Sequence, residues 1–158
     1  MVYAQLMHTG RIGHPSDYRT SHHTVGPSPV RARGRIFTRE GLQDLVLPRE
    51  LGAEEIGQTI RDFAAAAENA VTAGFDGVGL HGANGYLIHQ FPSTKANPRT
   101  DEWGSSSPRD GARFALETAS AVAEAVRFPS GADPVLRDGD SHPGDKNKKG
   151  TLLRVLIR

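Results

Sequence analysis

The run Gly74-Phe75-Asp76-Gly77-Val78-Gly79-Leu80-His81-Gly82-Ala83-Asn84-Gly85-Tyr86 decides the fold. Gly77–His81 is a short apolar run bounded by turn residues, the pattern of a buried parallel strand. On its amino side, Ala53–Ala73 places Ile56, Ile60, Phe63, Ala67, Ala70 and Val71 on one face at helical spacing. Glu54 and Glu55 suit the positive end of that helix, and Gly74 suits its stop. On the carboxyl side a loop, Gly82–Ser107, leads to a second predicted helix, Pro108 to Val126. Ser107 is its N-cap and Pro108 opens its first turn; Phe114, Thr118, Ala121, Val122, Ala125 and Val126 form its apolar face. Farther upstream, Val2–Met7 reads as another buried strand, followed by a polar segment from His8 to about Pro48 in which Arg35–Thr38 forms a short strand. The order is therefore strand, long loop, helix, strand, long loop, helix. These are the units of an α/β fold with parallel strands, in which ligands bind at the carboxyl ends of the strands.

The composition narrows the function. A net charge of +1 over 158 residues gives no strong pull toward nucleic acid or acidic membranes. The absence of cysteine excludes disulfides, thiolate metal sites and a cysteine nucleophile. Met1–His8 lacks the basic region and cleavage site of a signal peptide. No apolar run approaches the roughly 20 residues that cross a bilayer. A soluble, cytoplasmic protein is expected. His8, His14, His22 and His23 show no paired ligand spacing, so no metal is assigned.

The chemistry gathers where the second strand opens into its loop. His81 and Asn84, three residues apart, can both donate to one oxygen, and Tyr86 adds a phenolic proton. Two donors and an acid would polarise a carbonyl or nitro group and protonate the neighbouring carbon. A plain turn after a strand, with His81 simply hydrogen-bonded, is the alternative. Arg99, Thr100 and Asp101 read as a bidentate brace of the loop.

Several linked motifs carry a resemblance. Gly74–Val78 with His81-Gly82-Ala83-Asn84-Gly85-Tyr86-Leu87-Ile88-His89-Gln90-Phe91 resembles the active-site strand and loop of the Old Yellow Enzyme flavoproteins. Asn97–Gly104 resembles their N-x-R-T-D-E-Y-G segment, and Gln5–Arg11 their Q-L-W-H-x-G-R strand. The resemblance covers about Val2 to Phe128 and is nearest to the N-ethylmaleimide reductase branch. It implies an FMN-binding (β/α)8 barrel that takes hydride from NADPH or NADH and passes it to an activated alkene or nitro compound. By position, Gln5 would contact the flavin, His81 and Asn84 would bind the substrate oxygen, and Tyr86 would be catalytic as the proton donor.

The sequence also departs from the family. Met7 stands for a Trp, Gly79 for a Glu, and Ser105–Gly111 for a G-S-x-E-N-R segment whose Arg is lost. Such barrels need eight strands and roughly 250 residues. The expectation is thus a partial (β/α)8 TIM barrel, about strands 3–4 with their helices, open rather than closed. Residues 1–128 would form the FMN-binding barrel segment, and 129–158 a divergent polar tail with one terminal strand at Thr151–Ile157. Self-association through exposed barrel edges would follow. The alternatives to an ene-reductase are a truncated, inactive remnant of one, or a small non-enzymatic α/β binding module.

Overall fold

The computed structural model describes residues 1–18, 22–126 and the strand at 152–156. Of the predicted tail, 129–158, only the strand at 152–156 lies within the described residues. The central sheet has three parallel strands: β1 (Tyr3–Leu6), β6 (Gly77–His81) and β7 (Leu152–Leu156), in the order β1-β6-β7. The long connection after β1 holds four short strands: β2 (Val25–Gly26), β3 (Arg35–Thr38), β4 (Gly41–Asp44) and β5 (Arg49–Glu50). Three helices complete the chain: α1 (Ala53–Thr72), α2 (Leu87–Gln90) and α3 (Pro108–Ala125).

The predicted strands and helices form, each within two or three residues of its expected bounds. α1 buries Ile56, Ile60, Phe63, Ala67 and Ala70, the face its spacing marks. It ends at Gly74, whose φ of 93° few other residues adopt. Ser107 caps α3, its hydroxyl accepting from the Asp110 N–H at 3.2 Å. α3 buries Phe114, Thr118 and Val122. Both helices join one core with Val78, Leu80, Leu87, Ile88, Phe91 and Trp103. Phe91 and Phe114 stack there, with centroids 4.2 Å apart and planes 18° from parallel.

The register is Gln5 opposite Gly79 and Leu6 opposite Leu80. β7 continues the sheet on the other side of β6, with His81 opposite Leu156. Among the described residues the sheet does not close on itself, so the architecture is an open piece of parallel β/α layering.

The segment between β1 and α1 is more ordered than its polarity suggests. β3 and β4 pair as an antiparallel hairpin, and β2 pairs in parallel with β5. Phe37 on the hairpin is 80% exposed; β3 is the strand expected at Arg35–Thr38, and its partner β4 is the element the sequence did not mark. β5 leads into α1 through an ion pair. Arg49 Nη2 lies 2.7 Å from Glu55 Oε1, and the Gly52 N–H donates to Glu55 Oε2 at 2.9 Å.

These contacts to Arg49 and Gly52 hold the Glu55 carboxyl down at about 2, from an ordinary 4.5. A depressed carboxyl stabilises the fold above its unfolded value, and that contribution fades as pH falls from 4.5 toward 2. The pair is half-exposed, so solvent screening leaves it worth about 0.5 kcal/mol. Glu55→Gln should therefore lower the melting temperature by about 2 °C at pH 7, and the gap should close near pH 2 in calorimetric scans.

Candidate active site

Parallel pairing brings the carboxyl ends of β1 and β6 to one end of the sheet, so both long connections leave from there. His81 is the last residue of β6. Strand alternation puts its side chain on the same face as Gly79, and Gly79 pairs with Gln5. Gly79 has no side chain, so flat backbone separates Gln5 from His81 on this face.

A tight turn follows. The Tyr86 N–H donates to the Ala83 carbonyl at 3.2 Å, and the two residues between them both have positive φ, 56° at Asn84 and 77° at Gly85. That is the signature of a type I′ turn, and Asn-Gly is the dipeptide it favours. The turn folds the chain back so that Tyr86 returns beside His81, with ring centroids 5.0 Å apart at 66°. Asn84 Nδ2 lies 3.5 Å from His81 Nε2. One oxygen set about 2.9 Å from each nitrogen would close that triangle at normal hydrogen-bond length. His81 Nδ1 is buried without a hydrogen-bond partner among the described residues. Of the sequence-predicted site residues, His81, Asn84 and Tyr86 therefore meet. Gln5 shares the sheet face through Gly79, exposed and without a hydrogen bond among the described residues.

The residues fit a flat heteroaromatic cofactor. Gln5 is exposed with its carboxamide free of partners among the described residues, Gly79 beside it carries no side chain, and the buried His81 Nδ1 lacks a partner among the described residues, a polar group a heteroaromatic ring could satisfy. A cavity of about 340 Å³ runs along the outer edge of β1 past Gln5 and Met7 to Thr59 and Phe63 of α1. His81, Asn84 and Tyr86 do not line it.

Three supporting residues hold the loops behind the site. The Leu87 N–H donates to the His8 carbonyl at 2.9 Å, tying α2 to the end of β1. His8 is held below its ordinary range by burial, against a smaller opposing pull from Asp62. Asn97 is wholly buried, and its Nδ2 donates to the Phe91 and Trp103 carbonyls at 2.8 and 2.7 Å. Arg99 forms the bidentate brace expected with Asp101, at 2.9 and 2.5 Å. It also donates to the carbonyls of Pro27 (3.0 Å) and Leu51 (2.7 Å) and lies 3.3 Å from Glu50. The brace forms although the Arg of the G-S-x-E-N-R segment is absent. Its hydrogen bonds hold the Asp101 carboxyl below the usual range.

Sequence reasoning missed Gln90, which is 1% exposed and bonded to two loops. The available signal was a glutamine set between Ile88 and Phe91, where the neighbouring apolar residues point to burial.

Comparison with known proteins gives this geometry a context. Residues 1–130 match the model of the NADH:flavin oxidoreductase / NADH oxidase family. A "probable flavin mononucleotide-dependent alkene reductase" of Leishmania infantum is 42% identical over 131 residues, covering 80% of this chain and 36% of that protein. A chanoclavine-I aldehyde reductase of Penicillium roqueforti is 56% identical over 125 residues, covering 79% and 32%. Among solved structures, an Old Yellow Enzyme homologue from Zymomonas mobilis superposes with a TM-score of 0.74 at 34% identity, covering 79% of this chain and 34% of that one. A morphinone reductase variant in complex with tetrahydroNAD gives 0.71 at 38% identity, covering 77% and 35%. The chain spans about a third of the length of the relatives it matches.

Proposed function

The chain belongs to the NADH:flavin oxidoreductase / NADH oxidase family, and on that premise we propose that it acts as an FMN-dependent ene-reductase. Its substrate class is an alkene activated by a carbonyl or nitro group, and its reductant is NADPH or NADH. The observation that carries this reading is the meeting of His81, Asn84 and Tyr86 at the carboxyl end of β6, with the His81 Nε2 and Asn84 Nδ2 nitrogens 3.5 Å apart.

FMN, when bound, supplies the hydride for the carbon β to the activating group. Gln5, opposite Gly79 in the sheet, would hold the ring system through its carboxamide. His81 and Asn84 would both donate to the substrate's carbonyl or nitro oxygen. That oxygen gains negative charge as hydride arrives, so fixed donors favour the transition state over the ground state. Tyr86 would then give its phenolic proton to the carbon α to the activating group. A positioned phenolic O–H can serve as the general acid for that step. Hydride and proton together saturate the double bond. Solvent protons restore the phenol.

No helix among the described residues is long and apolar enough to cross a membrane. With no cysteine to oxidise, the cytoplasm is the compartment we propose. The outer edge of β1 has no strand partner among the described residues, which supports self-association through that edge.

The test is to titrate the purified chain with FMN, follow the flavin absorption, and then measure NADPH or NADH consumption with 2-cyclohexenone or N-ethylmaleimide. A shifted flavin spectrum and alkene-dependent consumption are expected. A cooperative melt with no flavin retained would overturn this in favour of a non-enzymatic α/β binding module. A broad melt without flavin would favour an inactive remnant.

A further inference from the structure

Gln90 lies at a junction that the reaction scheme leaves unexplained. Its Nε2 donates to the Gly85 carbonyl at 2.7 Å and to the Thr9 carbonyl at 3.1 Å. Its Oε1 accepts from the Arg11 N–H at 3.2 Å. The carboxamide thus joins the turn after β6 to the loop after β1. The neighbouring His89 completes the grip, because the Gly85 N–H donates to its Nδ1 at 3.1 Å. Consecutive residues of α2 therefore hold both polar groups of Gly85, the second of the two left-handed residues in the turn.

The first left-handed residue is Asn84, a residue type that adopts this conformation more readily than most, so the turn is locally favoured and the clamp fixes where it sits. Asn84 supplies one of the two nitrogens that face the substrate oxygen. The loop after β1 is shaped for the same contact. Gly10 has a φ of 60°, and a Cβ there would fall on the Gln90 carboxamide.

We propose that Gln90 is a positioning residue: its carboxamide, with His89, clamps the Asn84–Gly85 turn against the Thr9–Arg11 loop and so sets the spacing of the His81 and Asn84 donors. This rests on the reading of those two residues as the receptor of one substrate oxygen. Gln90 touches neither substrate nor cofactor, so its removal acts through the turn.

The experiment combines amide exchange by NMR with binding of p-nitrophenolate, an aromatic anion that presents one charged oxygen, followed by its own absorption. Three variants are compared with the native chain. Gln90→Met removes donor and acceptor at similar length. Gln90→Glu keeps an oxygen for the Arg11 N–H and loses the donor to Gly85. His89→Ala, at an exposed position, releases the Gly85 N–H without opening the core. Gln90→Met should speed exchange at Arg11 and Tyr86 at least tenfold, leave Phe63 in α1 within twofold, and weaken p-nitrophenolate binding at least tenfold. Gln90→Glu should keep Arg11 protected while Tyr86 exchange and probe binding change as in Gln90→Met. His89→Ala should speed exchange at Gly85 with α1 unaffected, and it carries the comparison if Gln90→Met does not fold.

Native-like probe binding in Gln90→Met, or exchange at Phe63 rising in step with Tyr86, would overturn the proposal. A native chain that fails to bind p-nitrophenolate would instead remove the oxyanion role of His81 and Asn84. The exchange arm still decides the clamp in that case: unchanged Tyr86 exchange in Gln90→Met overturns it, and a tenfold rise supports it.

Discussion

Replacing Tyr86 by phenylalanine should lower turnover of an activated alkene by about 10²- to 10⁴-fold, the range lost with a positioned general acid. The change deletes one oxygen and leaves the ring. The edge-on contact with His81, with centroids 5.0 Å apart, survives. The hydroxyl has no hydrogen-bond partner among the described residues, so no buried group is stranded and the melting temperature should stay within about 1 °C. The loss should also fall on one half of the reaction. Hydride transfer from NADPH or NADH needs no proton from Tyr86, so stopped-flow flavin reduction should keep its native rate while reoxidation by 2-cyclohexenone slows. Equal slowing of both halves would show a displaced cofactor instead, and native reoxidation would remove Tyr86 from the reaction.

Phe114→Ala should cost about 3–5 kcal/mol, the range for emptying a buried aromatic site. Phe114 is wholly buried on α3 and stacks on Phe91. Phe91 in turn meets Trp103 edge-on at 6.4 Å. Domains of ordinary stability have about 5–15 kcal/mol in all, so the loss is a large share, and the melting temperature should fall by roughly 10 °C or more. Phe91 follows Gln90 directly, so the cavity opens beneath the residue that grips the turn. Leu116, on the same helix and 62% exposed, is the control. Leu116→Ala should shift the midpoint by about 0.5 kcal/mol or less in denaturant titration.

The parts legible in the sequence were those with a repeating signal. α1 and α3 bury most of the residues their spacing picked out, Val71, Ala121 and Ala125 being half-buried, and Gly77–His81 matches its apolar run residue for residue. The meeting of His81, Asn84 and Tyr86 was also readable, because an Asn-Gly turn between them leaves little choice of geometry.

What escaped had no periodicity. β4 pairs with β3 with no residue of either strand fully buried, and its half-buried face is Gly41 and Gln43, so no apolar alternation marks it. β2 and β5 are two residues each, and α2 is four, all too short for a pattern to repeat. The relation of Gln5 to the site depends on its pairing with Gly79, a fact of register that neither strand contains alone. The grip of Gln90 on Thr9 and Arg11 spans about eighty residues of sequence. The Arg99–Asp101 pair was local and therefore visible, whereas the reach of Arg99 to Pro27 and Leu51 was not.

That reach has a mechanical consequence. One guanidinium closes the base of the excursion that follows β1 and the base of the loop that follows β6. Peeling either away strips the cation of partners belonging to the other and leaves carbonyls without their donor. The two excursions should therefore resist opening separately, each being tied to the other through the same side chain on the rim of the sheet.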